Sequence, residues 1–175
     1  SSTSRGLGDV YKRQLLELSR NQSLKRDERA MASESELIAA LSDIFATKNP
    51  DLLIGIGDDG AVANPFGKVV MSTDISVEGV HFSRSWSTLN EIGAKITAAN
   101  LADIFAMGGD PKYLLVSAAL PTDISVEEVE ELARGIKSEA DLVHCDVVGG
   151  DISRAEKLII SIAAIGSVDT PITRA

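Results

Sequence analysis

Four short segments place oxygen-bearing side chains beside glycines, at an expected strand end or on an otherwise apolar stripe: Gly57-Asp58-Asp59-Gly60, Ser72-Thr73-Asp74, Asn100 with Asp103, and Gly149-Gly150-Asp151. Carboxylates and hydroxyls next to flexible turns are what a hard divalent cation needs. Mg²⁺ takes oxygen ligands, keeps several waters and shares its remaining positions with phosphates. Taken singly, Asp-Gly and Gly-Asp pairs mark turns more often than metals. Asp103 is harder to read as a turn. Ile96, Asn100, Asp103 and Met107 recur at spacings of 4, 3 and 4, so they share one helical face. Polar groups on a half-buried stripe need partners. A metal and an internal hydrogen bond serve Asp103 equally well.

Other reactive residues point to less. His81, in Glu78-Gly79-Val80-His81-Phe82, is a lone histidine, either structural or a substrate contact. His144 and Cys145 are neighbours on an expected strand, so they face opposite ways and form no catalytic pair. No Walker-type phosphate loop is present. Its nearest approach, Gly60 to Gly67-Lys68, has six intervening residues instead of four and Val69 where Ser or Thr should hold magnesium. Nucleotide binding would need another device, such as the backbone amides of Gly149-Gly150 with bridging metals.

Charge supports the metal reading. The 175 residues carry a formal net charge of −9. That argues against a nucleic-acid surface, which needs basic patches, and an anionic ligand would need cations between it and the protein. A single cysteine, Cys145, precludes an internal disulfide. No apolar run reaches the ~18 residues of a membrane span, and no signal-peptide pattern opens the chain. A cytoplasmic protein is the default expectation.

The elements that must position these groups begin at Ser33. Residues 1–30 hold seven Lys/Arg against four Asp/Glu and lack any apolar period. They read as a leader outside the core, residues 1 to about 14 as an assembly scar, with a mobile basic tail as the alternative. Residues 31–175 form the expected domain, with Met31 a candidate natural start. Ser33 and Glu36 make a capping-box pattern before Leu37, Ile38, Leu41, Ile44 and Phe45 at helical spacing. Leu52 to Ile56 and Lys68 to Asp74 read as strands. Leu89 to Met107 reads as a long helix closed by Gly108-Gly109 and Pro111. Then come a strand over Tyr113 to Leu120, a helix opened by Ser125 and Glu128, and strands over Val143 to Val148 and Leu158 to Ile165. This mixed order predicts an α+β fold rather than a doubly wound sheet.

Together the segments resemble one family. Ile56-Gly57-Asp58-Asp59-Gly60-Ala61, the run Ser72-Thr73-Asp74-Ile75-Ser76-Val77-Glu78-Gly79-Val80-His81-Phe82, Asn100 through Gly109, and Val147-Val148-Gly149-Gly150-Asp151 are similar to the motifs of thiamine-monophosphate kinases, in the same order. Thr73 to Phe82 is the specific part. The glycine–aspartate pieces alone fit the wider superfamily of aminoimidazole ribonucleotide synthetase, selenophosphate synthetase and a hydrogenase-maturation enzyme.

The resemblance implies an amino-terminal α+β domain with a mixed or antiparallel sheet, helices on one face, and a homodimer formed through the sheet. ATP and Mg²⁺ would bind near the dimer seam. It implies Asp59, Ser72, Thr73, Asp74, Asp103 and Asp151 as magnesium ligands. Gly150 and Asp151 would form the nucleotide-binding turn, Arg174 would approach the ATP phosphates, and His81 would touch thiamine monophosphate. No side chain is implied as a covalent catalyst; metals would screen two anionic reactants while the site aligns them. For one shared cluster, Asp59, Asp74, Asp103 and Asp151 should converge. Two departures stand out: Gly60 replaces the more usual alanine or threonine, and the second domain that completes such a site is expected beyond Ala175. A different acceptor within the superfamily, or a non-catalytic nucleotide-binding dimerisation module, are the alternatives.

Overall fold

A computed structural model describes residues 33–64 and 67–173. The expected leader over residues 1–30 and Arg174 lie outside the described residues. Helix α1 (Glu34–Ile44) starts as its sequence requires. The Ser33 side chain accepts from the Glu36 amide, and the Glu36 carboxylate accepts from the Ser33 amide at 2.7 Å. Strands β1 (Leu52–Ile54) and β2 (Val62–Ala63) form a small antiparallel pair. Then follow β3 (Val69–Val77), α2 (Leu89–Ala106), β4 (Asp110–Leu120), α3 (Val126–Asp141), β5 (Asp146–Arg154) and β6 (Ile159–Ser167).

The last four strands make one mixed sheet in the order β3-β6-β4-β5. Strand β6 runs antiparallel to both β3 and β4, while β4 and β5 are parallel, joined through α3. Period-2 alternation divides the sheet's faces. Ile160, Ile162 and Ala164 of β6 and Leu114 of β4 are fully buried, in one core with Ile92, Ile96 and Ile104 of α2 and Leu132 and Ile136 of α3. On the other face Met71 is 72% exposed and Ile75 57%. The fold is α+β with its helices on one side of the sheet. The helices α2 and α3 touch through two glycines. A Cβ on Gly93 would come within 2.3 Å of the Leu132 carbonyl oxygen. Thr97 and Asn100 are the buried polar residues of α2.

Several boundaries differ from expectation. Strand β2 was not anticipated, and β1 stops at Ile54. Strand β3 continues past Asp74 to Val77, so Ser72-Thr73-Asp74 lies mid-strand rather than at a strand end. Strand β4 begins at Asp110 and contains Pro111. Residues 143–145 are not strand. Helix α3 closes there in a Schellman turn, with Cys145 N–H donating to the Ala140 carbonyl and His144 N–H to that of Asp141. His144 takes the left-handed position at φ 55°, where glycine would have announced the stop. The expected opposite-facing strand placement of His144 and Cys145 is therefore wrong. Helix α2 ends the same way, with the anticipated Gly108 at φ 74°.

Candidate functional site

The candidate site grows from edge strand β3 and helix α2. Alternation turns Ser72 and Asp74 toward α2 and Thr73 to the open face of the sheet. The Ser72 hydroxyl donates to Asp103 Oδ2 at 2.9 Å. One turn earlier on α2, Asn100 Oδ1 accepts the Asp74 backbone N–H at 3.2 Å, and its Nδ2 donates to the Ile96 carbonyl at 2.9 Å. Two contacts thus bolt β3 to α2, with Ser72 against Asp103 and Asp74 against Asn100, one helical turn from Asp103. Asp103 is half-buried and Asp74 exposed, which keeps both accessible to an ion.

The other expected ligands lie elsewhere in the chain. Asp151 is inside β5, not beyond a strand end. It pairs with Ser117, which pairs with Ser161, which pairs with Ile75. That chain of partners puts it one row from Asp74 but three strand spacings away, roughly 14 Å, and on the open face. Asp59 sits in the exposed turn after β1, its amide donating to Asp58 Oδ1 at 2.9 Å. Among the described residues no group of three His, Cys, Asp or Glu is poised around a common ion. Asp59, Asp74, Asp103 and Asp151 do not converge within one chain.

Gly149-Gly150-Asp151 owes its placement to a bulge. Leu114 pairs with Val147 but Leu115 with Gly149, so Val148 is an extra residue in β5. Gly150 then runs against β4 so closely that a Cβ would fall 1.8 Å from the Val116 carbonyl oxygen. Glycine is needed here for strand packing, whatever else its amide does.

The His81 loop is built from its own backbone. Gly79, at φ 81°, lets the chain reverse, and its amide donates to the Phe82 carbonyl at 2.8 Å. His81 Nδ1 accepts the Val77 N–H at 3.0 Å, so in the neutral ring the proton is on Nε2. Lys95 Nζ lies 3.4 Å from the His81 carbonyl oxygen. Sequence reasoning missed the clamp beneath this loop. Glu78 accepts from Arg84 Nε at 2.8 Å and from the Leu158 amide at 3.3 Å, while Arg84 reaches Asp123 at 3.5 Å. The Arg84 hydrogen bond holds the Glu78 carboxyl below its ordinary range. No helical or strand spacing links residues 78, 84 and 158, so no pattern would have found it. Burial pushes the Cys145 thiol up to about 12, which makes it a packing residue. A cavity of about 270 Å³ lined by Glu34, Leu37, Leu120, Ile152, Ser153 and Arg154 contains none of the candidate residues.

Residues 57–168, well over half of the chain, match the family "AIR synthase related protein, N-terminal domain". The chain belongs to this family. Among relatives of this AIR synthase related domain, the thiamine-monophosphate kinase of Bacillus subtilis is 40% identical over 119 residues, 66% of this chain and 37% of that protein. The crystal structure of the Aquifex aeolicus thiamine-monophosphate kinase superposes with a TM-score of 0.60 at 34% identity, covering 81% of this chain and 44% of that one. A further structure, AaThiL complexed with AMPPCP and TMP, gives a TM-score of 0.58 at 33% identity over 83% of this chain and 46% of that one. The resemblance to thiamine-monophosphate kinases read from the motifs holds. The AIR synthase related domain spans less than half the length of the relatives it matches.

Proposed function

We propose that this chain is the Mg²⁺- and ATP-binding amino-terminal part of a kinase that converts thiamine monophosphate to thiamine diphosphate. The observation that carries the reading is the contact of Ser72, two residues before Asp74, with Asp103, in a chain that is 40% identical over 119 residues to a thiamine-monophosphate kinase. The donors are all hard oxygens, which fits Mg²⁺ in kind. Their number in one chain is small for a metal cluster. Ser72, Asp74 and Asp103 would hold one ion from the helix side, while Thr73, Asp59 and Asp151 would supply ligands to further ions. Bound there, Mg²⁺ would neutralise phosphate charge.

The chain's own groups would bind and orient. The Gly150 and Asp151 segment of β5, with Arg174, would receive the nucleotide phosphates. His81, held by the Val77 amide, would offer its Nε2–H to the acceptor. No strong general base is needed, because a phosphate monoester oxygen is already largely ionised at neutral pH.

A two-fold homodimer through the open sheet face belongs to this proposal. That face exposes Met71 and Ile75 on β3, an edge strand paired on one side with β6, and it also carries Thr73 and Asp151. A second copy on it is the simplest way to bring a further Asp151 toward β3. Nucleic acid is not a partner on this reading. Among the described residues no helix is long and apolar enough to cross a membrane, and we place the protein in the cytoplasm. Turnover belongs to the whole enzyme; this piece alone should bind Mg²⁺–ATP weakly and phosphorylate little. The test is ADP release by the full-length enzyme with thiamine monophosphate. Release that does not depend on thiamine monophosphate would overturn the assignment.

A further inference from the structure

Asn100 is fully buried in α2, yet it is a polar amide between apolar neighbours. Such a group persists only where both ends are satisfied. Both are. Its oxygen faces an N–H, that of Asp74, and its nitrogen faces a C=O, that of Ile96. A flipped amide would set donor against donor and acceptor against acceptor, so its orientation is fixed.

The bond to Asp74 does more than fill a valence. Among the described residues strand β3 is an edge strand, with β6 on one side only. The Asn100 bond ties this strand to the helix at the residue whose carboxylate is a proposed magnesium ligand. Asp103, one turn on, is the ligand proposed from the helix. We infer that Asn100 is a positioning residue that sets the register of Asp74 against Asp103, and so the spacing of the two carboxylates that share a divalent cation. The inference rests on the metal site proposed above. It needs no particular acceptor.

Substitution of groups that orient metal ligands commonly costs 10–100-fold in metal affinity. Full-length enzyme carrying Asn100→Leu should lose both hydrogen bonds. Its half-saturating Mg²⁺ concentration, read by Mg²⁺-induced thermal shift and by the Mg²⁺ dependence of turnover, should rise at least about tenfold. The rate at saturating Mg²⁺ should change far less. Asn100→Thr, whose hydroxyl can return to the Ile96 carbonyl but does not reach the Asp74 amide, should raise the Mg²⁺ midpoint at least about tenfold as well. Thr97→Val, a buried polar change on the same helix with no tie to β3, should leave the Mg²⁺ midpoint unmoved. A cooperatively folded Asn100→Leu with the wild-type midpoint overturns the inference. So does a cooperatively folded Asn100→Thr with the wild-type midpoint, which stands as the test if the leucine variant fails to fold. Wild type that responds to Mg²⁺ but ignores thiamine monophosphate would defeat the proposed activity and leave these midpoints to judge Asn100.

Discussion

Gly135 of α3 lies against Asn90 of α2 so closely that a Cβ on Gly135 would meet the Asn90 carbonyl oxygen at 2.0 Å. Backbone cannot yield there without parting the helices. Gly135→Ala would gain about 1 kcal/mol of helix propensity but lose more to overpacking, typically ~1–3 kcal/mol and more where backbone is the obstacle. The expected net is destabilisation of about 2 kcal/mol, read by urea denaturation. A neutral or stabilised variant would show that the two helices separate freely.

Thr97 should behave in the opposite way. It is fully buried, and its hydroxyl has no hydrogen-bond partner among the described residues. A buried polar group left unpaired costs ~1–3 kcal/mol. Thr97→Val keeps the branched shape and removes that cost, so stability should rise by about 1 kcal/mol. A loss of stability in the melt would mean that the hydroxyl is satisfied after all.

The metal proposal predicts different behaviour for Asp74 and Asp103 with and without Mg²⁺. Asp→Asn at either position should remove most of the thermal shift caused by millimolar Mg²⁺ while leaving the metal-free fold intact. Asp103→Asn retains an oxygen for the Ser72 hydroxyl, so its apo stability should stay within about 0.5 kcal/mol of wild type. Equal Mg²⁺ shifts in wild type and both variants would remove the basis for a cation site.

Glu78 sets a pH dependence. Its carboxyl is held below the ordinary range first by the Arg84 hydrogen bond, against desolvation, with help from the Leu158 amide. A depressed carboxylate contributes stability above its unfolded pKa, about 4.3. That contribution fades as pH falls through the lower folded value. Glu78→Gln should therefore cost on the order of 1.5 kcal/mol at neutral pH and make the melting temperature less sensitive to acid below about pH 4. Parallel acid limbs for wild type and variant would show that the clamp does not couple to folding.

Much of this was legible because local rules and tertiary packing agree. The capping boxes at Ser33 and Ser125 and the glycine stop at Gly108 lie where their patterns put them. So do Ile96 and Asn100 of the expected stripe, both buried, while Met107 at its end is exposed; a 3.6-residue period fixes a face but not how far the packing on it extends. The Thr88–Glu91 capping box carried the same readable signal. What failed was long-range or hidden in an unusual residue. His144 in a left-handed turn mimics a strand start. The Val148 bulge arises only from pairing with β4. The separation of Asp151 from Asp74 depends on strand order, which motif order along the chain does not encode.

Strand β3 carries Ser72 and Asp74, and its sole strand neighbour among the described residues is β6. Val77 must wait for Ile159, and Val69 for Ser167. On a ribosome adding ~5–20 residues per second, the two strands are synthesised on the order of 5–20 s apart. Helix α2 can form early from local contacts, but the strand it must grip has no sheet to join until most of the chain has emerged. The proposed cation site should therefore be among the last features of the nascent chain to assemble, which shields half-made protein from capturing metal before its fold is complete.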